Sequence, residues 1–128
     1  MIIDHITLPV ANYATAKAFY ERALAPLGIT VVMEFPNTCG FGRDGKPEFW
    51  IGCGPMSFWK EGQTANTPTH IAFTAPDHAT VDAFYAAAIA AGGRDFGAPG
   101  PRPMYHPNYY GAFVLDPEGN NIEAVCHK

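Results

Sequence analysis

The stretch HITLPVANYATAKAFYERALAPLG, residues 5–28, decides the fold because it recurs 65 residues later as HIAFTAPDHATVDAFYAAAIAAGG, residues 70–93. Ten of the 24 aligned positions are identical without a gap, and alanines supply only four of the ten. Chance agreement between two alanine-rich helices would not explain the matched His, Ile, Thr, Phe, Tyr and Gly. A repeat of this length indicates a duplicated half-domain.

Each half is predicted to begin with a short strand of alternating residues and to continue into a helix. Asn12 and Asp77 are suitable N-cap residues for these helices, and glycines follow their last apolar positions. Three more strands follow in each half. The predicted strands span residues 2–10, 29–35, 39–43 and 48–53 in the first half, and 69–75, 94–97, 109–115 and 121–126 in the second.

The predicted fold class is therefore α+β, with two tandem βαβββ modules at about residues 1–53 and 69–126. Both belong to one domain, residues 1–128, whose curved mixed sheets form a cup with the helices on the outer face. Residues 54–68 are polar and lack periodicity, so they are predicted to connect the modules, and the proline-rich residues 98–108 to form a loop. Asp44-Gly45 and Glu118-Gly119 predict turns and nothing more.

The composition bounds the function. The chain has 128 residues, 48% hydrophobic and 16% charged, with a net charge of -4, which is typical of one globular domain. We expect no nucleic-acid partner and no membrane partner, because the charge is acidic and the apolar runs are shorter than the roughly 20 residues of a membrane helix. No signal peptide is expected, and three cysteines without metal or redox spacing indicate reduced thiols in a cytoplasmic protein.

Three potential metal ligands are predicted to share one face of the sheets. Side chains alternate across a strand, so the apolar residues face the helices while His5, His70 and Glu123 lie on the opposite face. Two imidazoles and a carboxylate form a facial triad that suits Fe, Mn, Zn, Ni or Co and leaves positions for water or substrate. The alternative is a pair of hydrogen-bonded histidines inherited from the duplication, together with a solvated Glu.

These features resemble a known family. Paired βαβββ modules, with His on the first and fifth strands and Glu on the eighth, resemble the vicinal oxygen chelate superfamily, and residues 116–123, DPEGNNIE, are similar to its closing turn and strand. That superfamily includes glyoxalases, bleomycin resistance proteins, fosfomycin-modifying enzymes and extradiol dioxygenases. The resemblance covers essentially the whole chain. It implies a divalent metal ion (Zn, Mn, Fe or Ni) held by His5, His70 and Glu123.

The chain departs from parts of the family pattern. Glyoxalases usually place a fourth ligand, Glu or Gln, on the fourth strand, where this chain has Trp50. Glu48 lies two residues, or about 7 Å, away and would substitute only if the strand register differed. The three-ligand set resembles the ligand sets of extradiol dioxygenases and fosfomycin transferases. The position of Thr7, two residues after His5, is similar to the pattern of the transferases. Those transferases carry a substrate-binding Arg beyond the last ligand, but none follows Glu123 here.

Other residues are candidates for catalysis and substrate binding. Glu123 and His106 are the predicted catalytic residues, since a His in the proline-rich loop could act as a general acid or base near neutral pH. The alternative for His106 is a solvated position in a surface loop. Trp50, Thr7 and Tyr110 are predicted to bind substrate, although aromatic residues on strands more often serve packing.

Two functions are consistent with these residues. The first is a metal-dependent enzyme that chelates two neighbouring oxygens of a small-molecule substrate, with lyase, isomerase, transferase or oxygenase chemistry. The second is a non-enzymatic protein that sequesters a small planar compound, as bleomycin-binding relatives do. A homodimer is also predicted, because proteins usually pair or cover the exposed edges of their sheets. The family resemblance implies the same, since superfamily members with one pair of modules are typically dimers.

Overall fold

The duplicated sequence folds as two βαβββ modules in a computed structural model that describes residues 2–65 and 68–128. The first module contains β1 (Ile6–Pro9), α1 (Tyr13–Ala23), a 3₁₀ turn (Ala25–Leu27), β2 (Thr30–Phe35), β3 (Thr38–Arg43) and β4 (Lys46–Gly52). The second contains β5 (His70–Thr74), α2 (His78–Ala90), β6 (Arg94–Pro101), β7 (Tyr110–Leu115) and β8 (Asn121–Cys126). Residue 1 of the predicted first module and residues 66 and 67 of the predicted connector lie outside the described residues.

The two sheets have the same topology. Their strand orders are β1-β4-β3-β2 and β5-β8-β7-β6, with a parallel pair at β1–β4 and β5–β8 and antiparallel pairs elsewhere. Thr7 pairs with Trp50 in the first sheet, and Ala72 pairs with Glu123 at the equivalent place in the second. Over the described residues the strands do not close into a barrel. The predicted α+β fold is confirmed.

Both helices begin where the sequence predicts. Asn12 accepts a hydrogen bond of 3.1 Å from the backbone N–H of Thr15, and Asp77 accepts one of 2.8 Å from that of Thr80. These caps satisfy N–H groups that have no partner within the helix. Gly28 ends the first helical segment with φ of 73°, a left-handed conformation that favours glycine. The repeat therefore fixes local structure as well as topology.

A single core joins the modules. Each helix packs against the apolar face of the sheet in its own module, the two helices contact each other, and burying these surfaces provides the main stabilisation of the fold. The largest buried apolar side chains come from both halves of the chain: Phe19, Tyr20, Leu24, Phe41, Ile51, Val81, Phe84, Val114 and Ile122. Between the modules, residues 54–65 form turns without a helix or strand. Cys39, Cys53 and Cys126 are free thiols.

Strand β6 is longer than predicted. It runs from Arg94 to Pro101 and includes Pro99, so part of the predicted 98–108 loop is strand. Proline cannot donate to a ladder and is tolerated here because β6 is the outer strand of its sheet. Two register shifts between Asp95 and Gly100 accommodate the irregular sequence. The loop itself is shorter than expected.

The turn between β7 and β8 also links the modules, so the prediction that Glu118-Gly119 only forms a turn was incomplete. The Glu118 carboxylate accepts hydrogen bonds of 2.8 and 2.9 Å from the backbone N–H of Ala11 and one of 2.9 Å from that of Asn12. A carboxylate at the start of α1 also interacts favourably with the helix dipole. The second module thus fixes the N-terminus of α1 in the first module.

In the part of the chain described, no helix has the length and apolar character needed to cross a membrane.

Candidate functional site

His70 and Glu123 form the centre of the site on the second module. His70 Nε2 lies 3.2 Å from Glu123 Oε1, and Glu123 is 1% exposed even though it faces away from the helices. We define the second open face by His70, Phe113 and Glu123, which lie opposite the buried Ile122 and Ala124. Side chains on this face lie against Glu123: His70 contacts one carboxylate oxygen, and Phe113 is its cross-strand neighbour. The alternative considered from the sequence, a solvated glutamate, is therefore not what the structure shows.

The other imidazole nitrogen of His70 fixes the ring. Nδ1 lies 3.1 Å from the backbone carbonyl oxygen of Asn121, and a carbonyl oxygen can only accept, so Nδ1 carries a hydrogen. Nε2 then faces the Glu123 carboxylate. Unless a proton or a cation lies between them, the Nε2 lone pair opposes a negative oxygen. The pair is therefore arranged to hold a positive charge.

His5 is oriented in the same way on the first module. Its Nδ1 lies 2.6 Å from Asp4 Oδ1, which leaves Nε2 free, and Lys46 Nζ lies 3.1 Å from the same oxygen. The hydrogen bonds to His5 and then Lys46 lower the pKa of Asp4. A carboxylate or carbonyl partner on one ring nitrogen is typical of histidines that ligate metals through the other. His5 precedes β1 rather than lying within it.

The single chain does not gather all three predicted ligands. His70 and Glu123 are adjacent, whereas His5 lines a shallow hollow of about 320 Å³ on the first module together with Thr7 and Trp50. Within residues 2–65 and 68–128, no group of three His, Cys, Asp or Glu side chains is placed to hold one ion. Each module thus presents part of the predicted triad.

Tyr109 is the residue that sequence reasoning missed. Its hydroxyl donates a hydrogen bond to Glu123 Oε2, while Oε1 faces His70. Burial, and then the hydrogen bond to Glu123, raise the pKa of Tyr109 far above its usual range. Strand alternation was the signal that could have identified it, because Tyr109 has the same parity as Gly111 and Phe113 on the second open face.

Tyr110 lies on the opposite face from the predicted ligands. It shares the helix-covered face with Ala112, stacks on His78 at a ring distance of 3.9 Å, and donates a 2.7 Å hydrogen bond to Asp82 of α2. These contacts hold it against the helix rather than over the second open face. Tyr109, not Tyr110, is the tyrosine next to Glu123.

Trp50 and Thr7 lie beside His5 on the first open face, which we define by these three residues. Trp50 stacks on Phe35 with a ring distance of 6.3 Å and an interplanar angle of 22°. Gly40 leaves space for the indole, since a Cβ there would lie 2.9 Å from Trp50 Cε2. The hollow therefore has one flat aromatic wall beside an imidazole.

Glu48 is separated from the hollow that contains His5. Phe41 pairs with Phe49 and Gly42 pairs with Pro47, so Glu48 is the extra residue of a bulge. Glu48 lines a different cavity, an apolar groove of about 540 Å³ along β1 and β5. This register gives no support to Glu48 as a replacement for the fourth ligand.

His106 is exposed in the loop between β6 and β7. Its Nδ1 accepts a 3.1 Å hydrogen bond from the backbone N–H of Asn108, which leaves the proton on Nε2. The ring packs edge-on against His127 at 5.5 Å, and His127 packs against Tyr109 at 5.2 Å. Two ring contacts therefore connect His106 to the tyrosine that holds Glu123.

Comparisons with known proteins agree with this architecture. The chain is similar to a glyoxalase/bleomycin resistance protein from Albidiferax ferrireducens T118, with 29% identity, a TM-score of 0.84 and 98% of each chain covered. A glyoxalase/bleomycin resistance protein/dioxygenase family enzyme from Burkholderia phytofirmans PsJN has 22% identity and a TM-score of 0.74, again over 98% of each chain. Lactoylglutathione lyase from Agrobacterium tumefaciens has 20% identity and a TM-score of 0.70, covering 98% of this chain and 92% of its own.

The similarities below 25% identity bear on the fold alone. The comparison with curated proteins gives no match. The family model described as Glyoxalase/Bleomycin resistance protein/Dioxygenase superfamily matches residues 2–124, nearly the whole chain. The resemblance drawn from the two histidines, the glutamate and the closing turn is thereby confirmed at the level of the family. This protein belongs to the glyoxalase/bleomycin resistance protein/dioxygenase superfamily.

Proposed function

We propose that the protein is a metal-dependent enzyme that acts on a small substrate bearing two neighbouring oxygen atoms. The observation that carries this proposal is the 3.2 Å approach of His70 Nε2 to Glu123 Oε1, with Nδ1 of the same imidazole tied to a backbone carbonyl. The reaction belongs to the lyase, isomerase, transferase or oxygenase chemistry of the superfamily.

The donor atoms fit a divalent cation. Two ligands about 2.1 Å from one ion, at angles between a right angle and a tetrahedral one, are about 3.0–3.4 Å apart. The 3.2 Å between His70 Nε2 and Glu123 Oε1 lies in this range. Imidazole and carboxylate donors suit Zn, Mn, Fe or Ni. A bound cation would also relieve the opposition between the Nε2 lone pair and the carboxylate.

We infer that His5 of a second copy completes the triad. The Nδ1 atom of His5 has an oxygen partner, as that of His70 does, yet His5 lies on the other module of its own chain. The strands β1 and β5 each have an unpaired edge, and the groove along them is lined by apolar side chains, including Ile6, Leu8 and Phe73. Covering these edges with a second chain is a common solution for exposed strands. A homodimer would thus contain two sites.

The side chains around the ligands have distinct roles in this proposal. When bound, the ion supplies Lewis acidity toward two oxygens of the substrate. Tyr109 holds Glu123 Oε2 and leaves Oε1 for ligation. Trp50 and Thr7 border the substrate. His106 has its proton on Nε2 and can exchange this proton with the substrate.

A second candidate function is sequestration of a planar compound without catalysis. The flat wall formed by Trp50 and Phe35 favours it, because aromatic rings stack on such surfaces. In that case binding would be independent of metal. The enzyme is preferred because His5 and His70 each have Nδ1 within hydrogen-bond distance of an oxygen atom, the arrangement typical of histidines that ligate a metal through Nε2.

Elemental analysis of protein purified without chelator, followed by calorimetric titration with Mn, Fe, Zn and Ni, tests the proposal. We expect stoichiometric binding that weakens as the pH falls, since imidazole and carboxylate must lose protons to bind. Glu123→Gln should weaken binding far more than the control Glu48→Gln. Binding that survives Glu123→Gln and is lost in Glu48→Gln would show that Glu48, and not Glu123, is the carboxylate ligand. Absence of binding by all four ions would favour the sequestering protein.

A further inference from the structure

A cationic side chain lies on the second open face beside the candidate ligands. The Arg102 guanidinium lies over the Phe113 ring, with Cζ 5.5 Å from the ring centroid, and the same ring stacks beside His70 at 6.1 Å. Phe113 pairs directly with Glu123 across β7 and β8. Arg102, Phe113 and the His70–Glu123 pair therefore form one continuous surface.

The charge of Arg102 is not neutralised by its neighbours. Its guanidinium donates 2.8 and 3.3 Å hydrogen bonds to the backbone carbonyl oxygens of Ala98 and Pro101, which carry no net charge. Among the residues that the structure describes, no carboxylate lies within ion-pairing distance of it. A guanidinium has five N–H donors, so three remain beyond these two bonds.

Glycines provide the space in which the guanidinium lies. A Cβ on Gly97 would lie 3.3 Å from Arg102 Nη2 and 2.9 Å from Phe113 Cδ1, and a Cβ on Gly100 would lie 3.2 Å from Arg102 Nη1. A side chain at either position would require the guanidinium to shift by a few tenths of an ångström. Gly97 also has φ of 154°, a conformation that other residues rarely adopt. The glycines at the bulged end of β6 thus leave space for the Arg102 guanidinium.

We propose that Arg102 binds an oxyanion group of the substrate, so that the substrate is a small organic anion carrying a carboxylate, phosphonate or phosphate. The planar guanidinium fork matches these groups in geometry and binds them through charge-assisted hydrogen bonds. Phe113 provides an apolar surface between the anion and the ligands of the proposed metal site. The inference rests on the proposed function in taking the second open face as the substrate site.

Benzoate and benzamide test this site, because they share a shape and differ in charge. Chemical shifts of the full-length protein, treated with EDTA, are followed during titration with each compound. We expect benzoate to bind about tenfold more tightly than benzamide, the ratio that one charge-assisted hydrogen bond provides. The shifts should concentrate at Gly97, Gly100 and Phe113. Equal affinities, or shifts elsewhere, would overturn the proposal.

Variants separate recognition from a structural role. Arg102→Gln should reduce the benzoate-to-benzamide ratio to about one, and Arg102→Lys, which keeps the charge without the planar fork, should give an intermediate ratio. The matched control is Arg94→Gln, which removes one charge from an exposed position at the start of β6, the strand that precedes Arg102, and should leave the ratio unchanged. An equal loss in Arg94→Gln, or a lower melting temperature in Arg102→Gln with the ratio retained, would refute the assignment. Metal titration of Glu123→Gln does not involve Arg102, so failure of the proposed function is recognised separately.

Discussion

The Tyr20 hydroxyl of the first module donates a 2.5 Å hydrogen bond to Asp116 Oδ2 of the second. Both side chains are buried. Asp116 also accepts from the backbone N–H groups of Glu118 and Asn120, at 2.9 Å each. This buried carboxylate therefore organises the turn before β8 and ties that turn to α1. The strand that carries Glu123 is anchored by the same interaction.

Removing this hydrogen bond should destabilise the protein. Tyr20→Phe leaves a buried carboxylate with one fewer donor, which costs about 1–3 kcal/mol. Urea unfolding measures the change. Tyr85→Phe is the matched control, since Tyr85 occupies the repeat-equivalent position and its hydroxyl bonds to Asp95 at an exposed site, 3.0 Å away. A loss in Tyr85→Phe as large as that in Tyr20→Phe would contradict this explanation.

Stability should fall in alkali because of the same residue. Burial, and then the charge of Asp116, raise the pKa of Tyr20 well above its usual value. Unfolded tyrosine loses its proton near pH 10, so the stabilisation is complete below about pH 10 and is lost as the pH rises further. The slope attributable to Tyr20 is about 1.4 kcal/mol per pH unit. Urea titrations between pH 8 and 11 should show a shallower decline in Tyr20→Phe, and parallel declines in both proteins would refute the assignment.

Tyr109 should control metal retention without being a ligand. Tyr109→Phe frees Glu123 Oε2, and loss of a residue that orients a ligand typically costs about 10–100-fold in metal affinity. Tyr110→Phe is the neighbouring control, since its hydroxyl bonds to Asp82 on the other face of β7. Calorimetric titration with Mn or Zn measures both variants. Unchanged affinity in Tyr109→Phe, or equal losses in the two, would argue against a positioning role.

A dimer with shared sites predicts complementation between variants. His5→Ala and Glu123→Gln should each lose tight metal binding. When the two are mixed and allowed to exchange subunits, mixed dimers should recover sites that combine His5 of one chain with His70 and Glu123 of the other. Sedimentation of the wild type should give a dimer mass at micromolar concentration. A monomer mass, or no recovery on mixing, would exclude a site built from two chains.

The two modules and the faces of their strands were predictable from the sequence. Period-two alternation put His70 and Glu123 on the face opposite Ile122 and Ala124, because neighbouring side chains of a strand point to opposite sides. The family resemblance put Trp50 at the position where glyoxalases have a fourth ligand, and in the strand registers Trp50 pairs with Thr7 as Glu123 pairs with Ala72. Local rules sufficed for these features since each depends on residues close together in the chain.

The tertiary structure alone decided which side chains meet across distant elements. Glu118 reaches the start of α1 across 107 positions of the chain, and Arg102, which follows the bulged strand β6, lies over the Phe113 ring of β7. Neither contact has a local sequence signal, because the angle between modules and the path of an edge strand depend on packing. For the same reason the sequence predicted that His5 and His70 converge on one curved sheet, whereas the folded chain has two separate sheets and His5 lines a hollow away from His70.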